Sequence, residues 1–419
     1  MPDVLQTVVP ASMPRKETIV LNVTSLEFVT KVWRREVAEL ATCSVTPPVA
    51  ALPDCLNEFL KAARGASRTP GQAEAVTVID GQRSDSLETS QMFDPDLDAD
   101  MDTYIQRIET KMAGRFWNTA YFGLPAVNAE FWDFAKAFAD LVAQALGHRP
   151  GGRVDIDCFV GRYEWTHTGA HVDYADNFAF TARPGKVMLT WPSSVSGVAG
   201  AKWPEYNTFR DQSTPLKNLP DRIAYFPYDT YHVAESPEEV SLNMNLAFWD
   251  DCRDTGKVVD RVRHALNSKG PKRAPIGING ATTLAVEDAD NLNTLRRLVS
   301  QGDVERWMAE SALRRETSSR LGVPRPVSGP VGLAAEVSLL PTAGLQWYVS
   351  ESREWMMLGG NGHVAQMPFD RQLLDDLASL LDGGTVEVGS LASDATLGRV
   401  LQSLAKWGVV GPHAQAAGQ

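Results

Sequence analysis

Between about residues 152 and 250 the chain passes through five short stretches rich in aromatic and β-branched residues. They are VDIDCFVGRYEW, NFAFTA, KVMLTW, RIAYFPY and SLNMNLAFW, separated by turn residues with no helical stretch between them. Runs of this length and composition read as strands. Strands that follow one another without intervening helices lack the crossovers a parallel sheet needs, so an antiparallel sandwich or barrel of jelly-roll type is predicted. Everything else in the chain has to pack on this core or hang from it.

The flanks read differently, which makes the whole α+β. Residues 1–150 are expected to be a helical and irregular region packed on the barrel. Within it, residues 1–20 read as a loose arm, and SLEFVTKVWRREVAEL (25–40) has helical spacing with Phe28, Val32 and Trp33 on one side. Residues 65–102 are polar and turn-rich, with one strand candidate in AVTVID, and read as a surface excursion. NAEFWDFAKAFADLVAQALG (128–147) is a helix that Asn128 can cap and Gly147 can end. Residues 151–250 are expected to be the jelly-roll core, the part that would carry a functional site. Residues 251–329 are amphipathic helix up to the Pro-rich linker GVPRPVSGP. In 330–419, strands at LQWYVS and EWMMLG precede helices in DRQLLDDLASLL and DATLGRVLQSLAKWGVV, a winged-helix-like order.

Inside the core, GAHVDYADNF carries an H-x-D triplet, His171 and Asp173. On a strand, positions i and i+2 share a face, so both side chains can enter one cavity. An isolated H-x-D is also what a satisfied polar pair looks like. Of the seven histidines, His232 in RIAYFPYDTYHVAES is the suitable third ligand, because it follows an aromatic strand. Two imidazoles and one carboxylate form the facial triad of non-haem Fe(II) oxygenases, with positions left open for cosubstrate and O2. Lys186, in RPGKVMLTWP, leads the next strand. By itself it reads equally as a solvated strand end.

The stretch THTGAHVDYADNFAFTARPGKVMLTWP resembles the core of the Jumonji-C oxygenases. In pattern it is nearest to the asparaginyl hydroxylase of the hypoxia-inducible factor and to the cupin-like ribosomal oxygenases. The residues that carry the resemblance are Thr168, His171, Asp173, Asn177-Phe178, Gly185-Lys186 and Pro192, with a distal YHVAES…SLNMNLAFW. The resemblance implies that His171, Asp173 and His232 bind Fe(2+). It implies that Lys186 and Thr168 hold the distal carboxylate of 2-oxoglutarate, with Asn245, Asn177 and Tyr163 lining the cosubstrate pocket. Related iron halogenases carry a small residue in place of the carboxylate, so Asp173 points to hydroxylation or another oxidation rather than halogenation. The polar stretch between Lys186 and His232 departs from the pattern, and loops at a barrel mouth set substrate choice.

The expected activity is therefore that of a 2-oxoglutarate-dependent dioxygenase hydroxylating a side chain of a peptide or protein. The alternatives are the same chemistry on a free amino acid or natural-product intermediate, and a metal-free cupin binding module. A formal net charge of −12 argues against a broad phosphate-binding surface, and the last helix carries only Arg399 and Lys406, so no nucleic acid partner is expected. The helical segment offers a homodimer interface or plain core packing. Four scattered cysteines give no disulfide framework. With no signal-type apolar core in the first residues and no run of about 18 apolar residues, a cytoplasmic protein with no membrane partner is expected.

Overall fold

The structure is a computed structural model. It describes residues 21–65, 73–150, 152–165, 168–249, 261–262, 265–266, 286–327, 336–341, 343–387 and 395–413. The N-terminal arm, most of the helix candidate at 254–268 and the end of the Pro-rich linker lie outside the described residues.

Ten strands build the core: β1 Ala38–Ala41, β2 Glu74–Ile79, β3 Gln82–Arg83, β4 Trp117–Phe122, β5 Val154–Tyr163, β6 Ala175–Arg183, β7 Val187–Trp191, β8 Thr214–Lys217, β9 Arg222–Phe226 and β10 Tyr231–Trp249. All pairings among them are antiparallel. The large sheet runs β1-β9-β6-β10-β5-β4-β2-β3, and β7 and β8 continue from the first part of β10. β10 serves both layers: Tyr231–Glu235 pair with β7, while Leu242–Phe248 pair with β5 and β6. The two layers face each other, since Ala179 and Phe226 of the large sheet share an apolar cluster with Met188, Leu216 and Ala234 of the small one. This is the sandwich that the strand runs predict, and all five of those runs form strands.

The period of two sorts each strand. On β6, Phe178 and Phe180 point to the helical side, where they meet Phe134 and Phe138 at ring centroid distances of 5.0–5.2 Å. Those two rings come from α4 (Ala129–Leu146), which follows α1 (Leu52–Gly65), α2 (Ser86–Ser90) and α3 (Met101–Met112) in the chain. Its cap is the expected one: Asn128 Oδ1 accepts from the backbone of Glu130 and Phe131, and Gly147 ends the helix with φ +74°. Asn177, Ala179 and Thr181 take the opposite face and look into the sandwich.

Two expectations are corrected. Residues 25–40 are not one helix. A π-helical turn at Phe28–Val32 stops at Trp33, Arg34 adopts φ +58°, and the chain then enters β1 at the sheet edge. The helical spacing is real, because Phe28, Val32 and Trp33 are buried together, but tertiary contacts end the turn. Trp33 stacks on Phe178 and Tyr225, and Arg34 donates through Nε to buried Asp176 at 2.9 Å. The 65–102 excursion is also more than surface, because β2 pairs along its length with β4 and buries Val76, Val78 and Ile79.

Beyond the core, α5 (Val286–Ser300) and α6 (Asp303–Thr317) are split at Gly302, whose φ is +70°. Residues 319–325 fasten to the core. Ser319 Oγ donates to Asp140 at 2.6 Å, Trp132 Nε1 donates to the Val323 carbonyl, and Arg325 forks onto Asp133 with both bonds at 2.8 Å. In the C-terminal part, a ribbon of three strands at Leu345–Val349, Trp355–Gly360 and His363–Pro368 precedes α7 (Arg371–Leu381) and α8 (Ala395–Lys406). The two helices share a core through Leu377, Leu401 and Leu404. No helix among the described residues is long and apolar enough to cross a membrane.

Candidate metal centre

His171 lies in the loop before β6, and His232 stands near the start of β10. The two are backbone partners in an antiparallel bridge. Asp173 follows two residues after His171 and reaches between the two rings. Its Oδ1 is 3.3 Å from His171 Nε2, and its Oδ2 is 3.4 Å from His232 Nε2. One ligand atom from each residue falls within a 4.8 Å set.

Each imidazole is oriented from behind. His171 Nδ1 lies 2.9 Å from the Gly169 carbonyl, and His232 Nδ1 lies 3.2 Å from that of Thr230. A carbonyl only accepts, so Nδ1 carries a proton, and Nε2 is the ring atom that each imidazole turns to the carboxylate. Burial alone would raise the Asp173 carboxyl, but the charge of His232 and the hydrogen bonds from both imidazoles hold it well below the usual carboxylate range. Burial disfavours charge on His171, yet Asp173 outweighs it and raises that group. Two imidazole nitrogens and one carboxylate thus converge on a single point, and a divalent cation fits this donor set.

The wall beside the centre is polar where a sandwich interior is normally apolar. Register places Asn177, Ala247 and Asp155 in one row across β6, β10 and β5, then Ala179, Asn245 and Asp157, then Thr181, Asn243 and Phe159. Asn177 Nδ2 donates to the Ala175 carbonyl at 2.9 Å and approaches Asp173 Oδ2 at 3.4 Å. Asn245 is buried, with Oδ1 unpartnered. Tyr163 is buried in the cluster between the sheets, its hydroxyl pKa pushed up by burial. Lys186 is only 3% exposed, with its Nζ 5.2 Å from the centre of the Phe159 ring. Among the described residues it has no ion pair. Burial lowers its pKa to about 8, against the pull of Asp173. It is not the solvated strand end that its sequence position also allowed.

Thr168 departs from expectation. It is exposed, in the turn before His171, and lies outside the buried group around Lys186. The physical reason is the next residue: Gly169 turns with φ +69° to dock the loop on residues 200–201, where the Ala170 N–H donates to the Ala201 carbonyl at 2.9 Å.

Sequence reading missed four interior residues. Asp155 and Asp157 alternate with Ile156 along β5, so the D-x-D pattern was a usable signal of two carboxylates on one face. Burial pushes both carboxyls up, and Asp157, which accepts from the Gly123 N–H, is pushed well above the carboxylate range. Asn218 and Asn243 had no local signal. His167 and Cys252 lie outside the described residues.

No family model matches the chain, and no curated protein matches it. Among solved structures, the chain is similar to the ribosomal oxygenase YcfD from Escherichia coli, at 15% identity and a TM-score of 0.47, over 92% of this chain and 96% of that one. A structure of the same oxygenase in complex with cobalt and 2-oxoglutarate gives 14% identity and a TM-score of 0.44, over 92% and 97%. A cupin domain from Bordetella pertussis gives 12% identity and a TM-score of 0.16, over 23% and 81%.

Proposed function

We propose that this chain is an Fe(II)- and 2-oxoglutarate-dependent hydroxylase acting on a side chain of a peptide or protein. The observation that carries the reading is the pairing of two sites in one sandwich interior: a His-Asp-His cluster that needs a cation, and a buried lysine that needs an anion. Fe(2+) with 2-oxoglutarate and O2 would supply the oxidation of a C–H bond to an alcohol, releasing succinate and CO2. Within that chemistry His171, Asp173 and His232 hold the metal on one face, and Asn177 steadies Asp173. Lys186 binds the distal carboxylate, and Asn245 and Tyr163 close the pocket. The apolar cluster of Ala179, Met188, Leu216 and Phe226 packed between the sheets keeps water out.

A large substrate is favoured by the rim. Tyr174, directly after Asp173, is 69% exposed, and Trp203 from the inserted loop is 37% exposed while stacking on Trp165 at 6.0 Å. Exposed aromatics beside a metal loop suit an extended partner better than a free amino acid. The exposed Leu292, Leu295 and Val299 on α5 are consistent with a homodimer through the 251–329 segment. The C-terminal ribbon and helices serve as a winged-helix-like docking module in this reading, in a cytoplasmic protein.

The test is anaerobic loading with Fe(II), then exposure to O2 and 2-oxoglutarate while succinate is measured, first alone and then with a peptide library. Succinate that appears only with Fe(II) supports the reading. No succinate under any condition, with the protein folded, refutes it.

A further inference from the structure

We propose that Asn243, held in place by Thr181 and Asn218, is the second arm that grips the distal carboxylate beside Lys186. The inference rests on the reading above that this cavity takes a 2-oxo diacid, and it takes over the role expected of Thr168. Asn243 is fully buried in the middle of β10, opposite Thr181 on one side and Phe159 on the other. Its Oδ1 accepts twice, from Thr181 Oγ1 at 3.0 Å and from Asn218 Nδ2 at 3.1 Å. Two donors on one amide oxygen fix the plane of the group and turn Nδ2 away from both. That Nδ2 is buried and has no partner among the described residues.

Asn218 ties this amide to the lysine. Its backbone N–H donates to the Lys186 carbonyl at 3.2 Å while its side chain holds Asn243. Lys186 Nζ in turn lies over Phe159, the residue across the strand pair from Asn243. Two buried donor groups, an ammonium and an amide NH2, are therefore left open among the described residues, each next to Phe159. The bonds to Oδ1 hold this amide in the packed interior, and its open NH2, like the open Oδ1 of Asn218 and the Lys186 ammonium, is a buried polar group that a ligand can satisfy. A carboxylate has two oxygens and accepts only, so it can take one donor on each. Thr181 and Asn218 are positioning residues, because they act through Asn243.

A two-armed grip makes the site selective for a diacid over a 2-oxo acid with no distal carboxylate. The experiment uses the full chain loaded anaerobically with Co(II), titrated with 2-oxoglutarate and with oxalate, which keeps the chelating end and lacks the distal arm. Asn243→Asp keeps the size but replaces the donor with an acceptor. It should raise the 2-oxoglutarate Kd by roughly a hundredfold or more, while oxalate stays within about twofold. Thr181→Val should raise it by several-fold with oxalate again unchanged, because Asn243 loses one of its two holders. An unchanged 2-oxoglutarate Kd in Asn243→Asp, with oxalate intact, overturns the proposal. If Asn243→Asp loses both ligands, Thr181→Val decides, and an equal loss of both ligands there overturns it as well. A wild-type chain that binds Co(II) and oxalate but not 2-oxoglutarate, or binds no metal, instead removes the underlying reading of the site.

Discussion

His171 and His232 exchange both of their backbone hydrogen bonds, His171 N to His232 O at 3.1 Å and His232 N to His171 O at 2.9 Å. Directly opposed residues in an antiparallel pair put their side chains on one face, and here the ring centroids are 4.4 Å apart. The backbone therefore sets the spacing of the two imidazoles and does not depend on them. His171→Ala, at a half-buried position, is expected to leave the thermal midpoint within a few degrees of wild type. It should weaken Co(II) binding by about a hundredfold or more, since one of three ligands is gone. His232→Ala should lose as much metal affinity and also some stability, because its ring packs 4.6 Å from Phe226. Metal titration followed by visible absorption, with parallel melts, checks both. Wild-type affinity in either variant would remove that residue from the centre.

Behind the metal loop, Asp176 is fully buried and is held by Arg34 Nε and by Tyr225 Oη, each at 2.9 Å. Removing one partner of a buried pair leaves a charge with less compensation. Arg34→Met should cost about 3 kcal/mol in urea unfolding, at the lower end for a broken buried pair because the guanidinium is partly exposed. Replacing both with Arg34→Met and Asp176→Asn should recover part of that loss. A double variant less stable than the single one would mean that the loss comes from packing rather than from the uncompensated carboxylate.

The contrast between these two sites explains what the sequence discloses. The helix at 128–147 is legible because its cap, apolar period and glycine stop are all local. The grouping of His171, Asp173 and His232 is legible because an i, i+2 pair just ahead of one strand and a histidine at the start of another leave few ways to assemble a triad. The break at Arg34 is not local. Helical spacing in 25–33 is sound, but Asp176 and Tyr225, far along the chain, fix the left-handed residue that ends it. Thr168 follows the same rule, since the residues after it dock on a loop some 30 residues later, and the threonine itself is left exposed. Asn218 and Asn243 meet only through strand register and a loop without periodicity, so no window of sequence contains their relationship.

Gly169 gives a direct test of that docking. A Cβ there would stand 2.6 Å from the Ala201 carbonyl oxygen and 3.1 Å from Lys202 Cγ, at a φ that L residues rarely adopt. Gly169→Ala must push the metal loop off residues 201–202. The expected cost is about 1–3 kcal/mol of stability. Metal affinity should fall about tenfold, because the Gly169 carbonyl orients His171. Equal metal affinity in the variant would show that the loop holds His171 without the help of the inserted segment.

Lys186 makes cosubstrate binding depend on pH in a direction that can be worked out. Burial lowers its pKa from the ordinary 10.5 to about 8, so the folded chain without ligand sheds this proton before the unfolded chain does. Where the unfolded state binds more protons, stability rises with pH, so the unliganded protein should gain stability from this group between about pH 8 and 10.5 and gain none from it below that window. Binding of a dianion runs the other way, because it needs the ammonium. The 2-oxoglutarate Kd should be flat below about pH 8 and then rise with pH, by up to about tenfold per unit, as the neutral amine replaces the cation. Lys186→Met keeps the stem and has nothing to titrate. Its Kd should be roughly ten- to a hundredfold higher at pH 7 and lack the rise above pH 8. Oxalate on the same Co(II) protein supplies the baseline for any titration at the metal itself. The same alkaline rise in Lys186→Met, after division by that baseline, would mean that a different group holds the distal carboxylate.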